Sequence, residues 1–253
     1  MIEEKLKKFI KKNNCTLLGV GPMSLNCVDS AIELSNSHLI NLILIASRRQ
    51  IDSEEFNGGY VNNWSTKNFA DYVFKNDRKK KIYLARDHGG PWQNSNEIKN
   101  NLSLKEAMDS AKLSYSKDID AGFKILHLDP SIDIHRQPNN TEILDRLFEL
   151  YEYCFSYAQK KGKEIIFEVG TEEQTGVTNR LDQLEYNLNK INSFCKKNKL
   201  PNPTFIVIQT GTRVLENRNI GSFDRPLRVE NEIAAEIQIP KMIEICQKHS
   251  ILI

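Results

Sequence analysis

An acid and an imidazole stand next to each other where a short apolar run of the sequence ends. Residues 81–86 lead into Asp87 and His88, and Gly89 and Gly90 follow. The run predicts a buried strand, and a carboxylate beside an imidazole at its carboxyl end can transfer protons or bind a metal ion. The glycines let the backbone approach a ligand closely. An ordinary polar turn at the exit of a strand is the alternative interpretation.

Polar residues follow the other apolar runs of the sequence in the same way. These polar ends are Pro22–Ser24, Ser47–Gln50, Pro130–Ser131, Thr171–Glu173 and Thr210–Thr212. The apolar runs predict strands at 16–21, 39–46, 81–86, 122–129, 164–170 and 203–209. Helical patterns alternate with them at 2–13, 28–34, 67–74, 104–115, 140–160, 179–197 and 232–248. This alternation predicts βα units and a parallel sheet.

The predicted fold is a TIM-type (β/α)8 barrel of the α/β class, which brings the carboxyl ends of its strands to one mouth. A doubly wound sheet is the rival, but no G-x-G-x-x-G turn follows the first strand and no P-loop is present. No Pro/Gly/Ser-rich linker divides the 253 residues, so we expect one domain over 1–253. Six strands are complete and a seventh begins at Ser250. Either the barrel is incomplete at this end, or a partner covers the open edges.

The composition excludes several classes of protein. A net charge of +2 gives no general nucleic-acid or membrane signal. The five cysteines are dispersed without C-x-x-C spacing, which favours free thiols in a reducing cytoplasm. Residues 1–14 are polar and lysine-rich and do not form a secretory leader, and the apolar run 39–46 is too short to span a bilayer.

Taken together, the polar strand ends resemble the class II tagatose-bisphosphate aldolase family, specifically its accessory, so-called non-catalytic subunit. The matching segments occur in the same order: Gly19–Ser24 with Val28–Ala31, Ala46–Ile51 with Gly58–Tyr60, Asp87-His88-x-Gly90-Pro91, Ala121–Phe123 with His127–Ser131, Gly170–Glu172 and Ile208–Gly211. Each motif alone is weak, but six in order cover nearly the whole chain. The sequence departs from the family pattern at Arg48-Arg49, Arg86, Pro130 and Glu173–Thr175, which indicates a divergent branch.

The resemblance implies a metal-dependent site. Class II aldolases use a divalent metal ion to polarise a carbonyl group. By resemblance, Asp87 is the proton-transfer carboxylate, His88 is a metal ligand and Glu172 is a second candidate ligand. Histidine and glutamate suit Zn²⁺, although a catalytic zinc site has three protein ligands. For His88, a hydrogen bond to a neighbouring loop is the alternative, and His127 is either a polar residue facing the barrel interior or a core histidine.

A phosphorylated sugar needs fixed hydrogen-bond donors around its anionic groups. The arginines at neighbouring strand ends, Arg48, Arg49 and Arg86, are candidates for a bidentate clamp, and structural ion pairs are the alternative. The other candidate substrate-binding residues are Gln50, Asp129, Ser131 and Gln209.

Three functions remain open at this point. The first is a class II aldolase that cleaves or forms a phosphorylated ketose of the tagatose-bisphosphate type. The second is an accessory subunit that stabilises and activates a partner aldolase chain, and the third is a sugar-phosphate-binding protein without turnover. In each case we expect a cytoplasmic oligomer that binds neither nucleic acid nor membrane.

Overall fold

Six parallel strands form one sheet in the computed structural model, which describes residues 1–13, 15–170, 181–208, 213–215, 218–220 and 235–253. The strands are β1 (Leu18–Val20), β2 (Leu42–Ser47), β3 (Ile82–Gly89), β4 (Ile125–Leu128), β5 (Ile166–Val169) and β6 (Phe205–Ile206). Their order in the sheet is their order in the chain. This order confirms the parallel α/β prediction and excludes a doubly wound sheet over these strands, because that fold reverses its strand order. The described residues therefore form a half-barrel, and the predicted closure by eight strands is not seen.

Helices cover the outside of this half-barrel and one of its ends. They are α1 (Ile2–Asn13), α2 (Leu25–His38), α3 (Thr66–Asn76), α4 (Ser95–Lys99), α5 (Leu104–Ala121), α6 (Asn140–Lys160), α7 (Leu181–Asn198) and α8 (Ala235–Lys248), with a short 3₁₀ helix at Glu54–Phe56. Capping boxes at Ser103 and Asn139 fix the starts of α5 and α6. The N-cap of α6 is therefore Asn139, one residue before the predicted one.

Two features lie outside the main sheet. The strands β7 (Arg213–Leu215) and β8 (Arg218–Ile220) pair in an antiparallel manner, where the sequence predicted only a loop. Leu252 forms an isolated parallel bridge with Phe205 beside β6, the position expected for a seventh strand. None of the described helices has the length and apolar character needed to cross a membrane, and all five cysteines are free thiols.

The sheet has a different environment on each of its two faces. Residues that face the helices belong to the large core and include Leu44, Leu84, Leu126 and Phe167. Residues on the inner face form a smaller cluster that includes Ala85, Ile125 and Phe205, together with Ile2 and Leu6 of α1. Successive side chains of a strand point to opposite faces. The inner face therefore continues from Ala85 to Asp87 and from Ile125 to His127.

Candidate active site

Three side chains from β3 and β4 form a compact group of possible metal ligands. Asp87, His88 and His127 each offer a donor atom, and these atoms lie within 4.8 Å of one another. Asp87 Oδ1 is 3.8 Å from His88 Nε2 and 3.6 Å from His127 Nδ1. Asp87 and His88 are partly exposed, whereas only 2% of the His127 side chain is exposed. The carboxylate thus lies between two imidazoles at the carboxyl ends of neighbouring strands.

A β-bulge allows the consecutive residues Asp87 and His88 to join the same group. The pairing of β3 with β4 shifts register between Arg86 and Gly89, and His88 has a positive φ of 39°. Such bulges redirect side chains that would otherwise alternate between faces. Gly89 permits the tight turn, because a Cβ atom there would lie 2.3 Å from the Tyr115 hydroxyl.

Asp129 fixes the orientation of the His88 ring. Its Oδ2 lies 2.7 Å from His88 Nδ1 and accepts a hydrogen bond of 2.9 Å from Gln93 Nε2. Its Oδ1 accepts hydrogen bonds from the backbone amide and the hydroxyl of Ser131, at 3.2 and 2.5 Å. A carboxylate that holds one ring nitrogen of a histidine is the common support of a metal-bound imidazole. The arrangement directs His88 Nε2 toward Asp87.

The pKa shifts within this group favour an ionised Asp87 carboxylate and a protonated His88 imidazole. The hydrogen bond to Asp129 raises the pKa of His88 against the opposing effect of burial. Burial alone would raise the pKa of Asp87, but the neighbouring imidazoles of His127 and His88 outweigh it and lower that pKa. Asp129 also has a lowered pKa, because its bond with His88 and the charge of His127 outweigh burial.

His127 and Glu168 complete the inner wall of the group. His127 Nδ1 accepts a hydrogen bond of 3.1 Å from the His88 backbone amide, so His127 faces this cluster and not the helix-side core. Glu168 pairs with His127 in register across β4 and β5, and its Oε2 lies 3.9 Å from His127 Nδ1. Burial raises the pKa of Glu168. Glu168 was not among the predicted site residues, although its place inside the fifth predicted strand was a usable signal.

Arg86 does not reach the mouth, contrary to the predicted substrate clamp. Its side chain is fully buried on the helix side of β3, and its Nε and Nη2 bind Asp118 at 2.7 and 2.6 Å. Its Nη1 donates to the carbonyl oxygens of Ala46 and Ile51. The physical reason is strand alternation, because Arg86 shares the helix-facing parity of Leu84.

Arg48, which was also predicted to bind substrate, is buried in ion pairs as well. Its side chain is fully buried, its Nε lies 3.0 Å from Asp52 and its Nη1 lies 2.6 Å from Glu97. Arg48, paired with these two carboxylates, and Arg86, paired with Asp118, therefore both form the structural ion pairs that were the alternative to a substrate clamp. Arg49, in contrast, is exposed.

An open pocket of about 450 Å³ lies in front of the partly exposed acid and histidine. Its lining residues are Ser47, Arg49, Gln50, Tyr60, Asp87, His88 and Gln93. Gln50, a predicted substrate-binding residue, borders the pocket, and its amide is held by the Ser47 backbone N–H and Met23 Sδ. Asp129 and Ser131, which were predicted to bind substrate, are buried; Asp129 holds the His88 ring and Ser131 donates to Asp129. Glu172 and Gln209 lie outside the described residues.

The fold and this site define a parallel α/β half-barrel with ionisable groups at the carboxyl ends of its strands. The chain matches a family model over residues 3–192, described as D-tagatose-1,6-bisphosphate aldolase subunit GatZ/KbaZ-like. This chain belongs to that family. A search of curated proteins found no sequence match.

Two solved structures have a similar fold at low sequence identity. A probable tagatose 6 phosphate kinase from Sinorhizobium meliloti 1021 is 16% identical with a TM-score of 0.71, over 94% of this chain and 57% of that one. A fructose-bisphosphate aldolase from Campylobacter jejuni is 12% identical with a TM-score of 0.55, over 98% of this chain and 62% of that one. The chain thus spans about three fifths of the length of either structure.

Proposed function

We propose that this protein binds a divalent metal ion, Zn²⁺ in the first instance, and acts on a phosphorylated ketose of the tagatose-bisphosphate type by aldol cleavage or formation. The observation that carries the proposal is the convergence of Asp87, His88 and His127, whose donor atoms lie within 4.8 Å of one another. The family description names a bisphosphate aldolase subunit, which supports the same class of substrate.

The residues fit a metal ion. His88 Nε2 is the best-prepared ligand, because Asp129 holds the other ring nitrogen at 2.7 Å. His127 Nδ1 has to exchange its bond with the His88 amide for the metal. Glu168 offers a further carboxylate, with its Oε2 3.9 Å from His127 Nδ1, and Glu172 remains a proposed ligand from the sequence. Two histidines with a carboxylate match the donors of catalytic zinc sites.

Asp87 is the proposed proton-transfer group. A bound metal ion supplies the polarisation of the substrate carbonyl. The lowered pKa of Asp87 keeps its carboxylate ionised at neutral pH, so it can accept the hydroxyl proton when the carbon–carbon bond breaks and return it in the reverse direction. Its partial exposure to the pocket gives a substrate access to that oxygen.

Arg49 is the proposed partner of a substrate phosphate. Arg48 and Arg86 are occupied by buried carboxylates, whereas Arg49 is exposed and lines the same pocket as Asp87 and His88. No hydrogen bond or ion pair of its guanidinium occurs among the residues that the structure describes. A planar guanidinium suits bidentate binding of a phosphate group.

Metal analysis and an aldol-cleavage assay test this proposal. The purified protein is stripped with a chelator, reloaded with Zn²⁺ and assayed for triose phosphate release from tagatose 1,6-bisphosphate. We expect about one bound zinc per chain, lost in His88→Ala, and cleavage that falls in Asp87→Asn. A wild-type protein that neither binds zinc nor cleaves the bisphosphate contradicts it.

The second candidate is an accessory subunit of an aldolase. The family description contains the word subunit, and β1 ends the described sheet as an open edge. Size-exclusion chromatography with a catalytic tagatose-bisphosphate aldolase chain tests this function. A stable complex and higher activity or heat resistance of the catalytic chain support it, provided that Asp87→Asn has the same effect as the wild type. Turnover by this chain alone, lost in Asp87→Asn, supports the first candidate.

A further inference from the structure

Arg48 connects the loop after β2 with the turn that carries His88. Its guanidinium is buried on the helix side of the sheet, beneath the mouth, and is held by Asp52 and Glu97. Its Nη2 donates to the Ser110 hydroxyl at 3.2 Å, and its Nη1 donates to the carbonyl oxygen of Gly90 at 3.1 Å. Only the last contact reaches the segment around the candidate metal ligand.

The turn from His88 to Gly90 has an unusual backbone. The φ angles of His88 and Gly90 are 39° and 150°, and both lie in the region that side chains with a Cβ atom rarely adopt. Such conformations persist where the surrounding structure fixes them from several directions. The environment of this short turn therefore decides where the His88 ring points.

The turn is held from two sides. On one side, the Asp129 amide donates to the Gly89 carbonyl at 2.7 Å, and a Cβ atom on Gly90 would lie 2.1 Å from the Asp129 carbonyl oxygen. On the other side, Arg48 binds the Gly90 carbonyl. Loss of the Arg48 contact removes the hydrogen bond to the Gly90 carbonyl and leaves the turn with its contacts to Asp129 and Tyr115.

We propose that Arg48 is a positioning residue for His88. Arg48 fixes the His88 turn through its hydrogen bond to the Gly90 carbonyl. The expected effect of Arg48 on metal affinity rests on the proposed function. Arginine is required because its planar fork presents five N–H donors and reaches Asp52, Glu97 and Gly90 together. A lysine keeps the positive charge beside the two carboxylates, but its compact ammonium group does not span these partners. Arg48→Lys therefore removes the hydrogen bonds of the guanidinium group but retains a positive charge beside the two carboxylates.

Arg86→Lys is the matched control. Arg86 is equally buried, and its side chain also binds a carboxylate, that of Asp118. Its other hydrogen bonds go to Ala46 and Ile51, and within the described part of the chain none goes to residues 88–90. Arg86→Lys therefore reproduces the damage to a buried arginine without touching the His88 turn.

The experiment combines hydrogen–deuterium exchange with a zinc titration against a chromogenic chelator, on the full chain. We expect Arg48→Lys to speed amide exchange in a peptide spanning residues 87–91 and to weaken zinc binding about 10- to 100-fold, as the loss of an outer-sphere support does. Arg86→Lys is expected to leave the amide exchange rates and the zinc affinity at their wild-type values, even if it lowers the melting temperature as much as Arg48→Lys does. Equal behaviour of the two variants overturns the proposal.

Two further measurements keep the test decisive. If Arg48→Lys fails to fold, Ser110→Ala removes one of the Arg48 contacts and is expected to change both readouts in the same direction by a smaller factor, whereas no change overturns the proposal. If the wild type binds no zinc, the proposed function fails. The exchange rates then still decide whether Arg48 positions the His88 turn.

Discussion

Arg86 and Asp87 are consecutive charged residues whose side chains lie on opposite faces of the sheet, and they differ in burial and in how closely their charges are paired. On the helix side, Arg86 is fully buried, and its guanidinium is satisfied by Asp118 and two backbone carbonyls. On the inner side, Asp87 is partly exposed and lies more than 3.5 Å from the nearest imidazole nitrogens. Adjacent residues of one strand thus serve different purposes. A closely paired buried charge stabilises the fold, whereas a loosely paired charge at a pocket is available for a ligand.

The largest effect is expected on the inner side. Asp87→Asn keeps the size of the side chain but removes its basicity, so we expect the rate of aldol cleavage to fall by about 10²- to 10⁴-fold, the usual contribution of a general acid–base group. Steady-state kinetics of the zinc-loaded protein measure this. A variant with the wild-type rate would show that Asp87 transfers no proton.

On the helix side, the expected effect is on stability and not on chemistry. Arg86→Met leaves Asp118 buried without its partner, which costs about 3–5 kcal/mol. The free energy of unfolding from urea denaturation measures the loss. The double variant Arg86→Met/Asp118→Leu is expected to recover most of it, because a well-packed apolar pair replaces a buried ion pair at little cost. No recovery in the double variant would contradict this explanation.

The support of His88 gives an intermediate effect. Gln93→Ala removes one hydrogen bond to Asp129, which in turn holds His88. We expect zinc affinity to weaken by about 10-fold, at the low end of the effects of outer-sphere residues, with little change in the melting temperature. Isothermal titration calorimetry with Zn²⁺ checks the affinity. Gln183→Ala, which removes a hydrogen bond from α7 to Asn140 of α6, is the matched control.

The smallest effect is expected at an exposed pair outside both regions. Arg136 binds Glu142 at the start of α6, with half of the arginine side chain in solvent, and exposed ion pairs contribute little to stability. Arg136→Met is therefore expected to leave the melting temperature and the zinc affinity unchanged. A large loss of stability would show that the burial of an ion pair does not predict how much its removal destabilises this protein.

Much of the architecture was predictable from local patterns. The alternation of apolar runs and amphipathic segments predicted six parallel strands with helices between them, because each pattern depends on residues close together in the chain. The pair β7–β8 and the short β6 were not predicted in this form. Strand lengths depend on which neighbour supplies hydrogen bonds, and that neighbour is distant in sequence.

The site was predictable only in part. The types and order of Asp87 and His88 indicated acid–base or metal chemistry, and the resemblance pointed to the same family that the comparison identifies. The arginines could not be assigned, because Glu97, which pairs with Arg48, and Asp118, which pairs with Arg86, lie on segments distant in the sequence.

The chemical groups at the strand ends and the family of the chain follow from the order of residues alone. The direction in which each side chain points follows from the folding of distant segments against one another. A one-residue change in strand register moves a side chain to the other face of a sheet, and here a bulge of this kind brings His88 beside Asp87. The contacts that fix the bulge come from Asp129, Tyr115 and Arg48, so no local pattern contains this information.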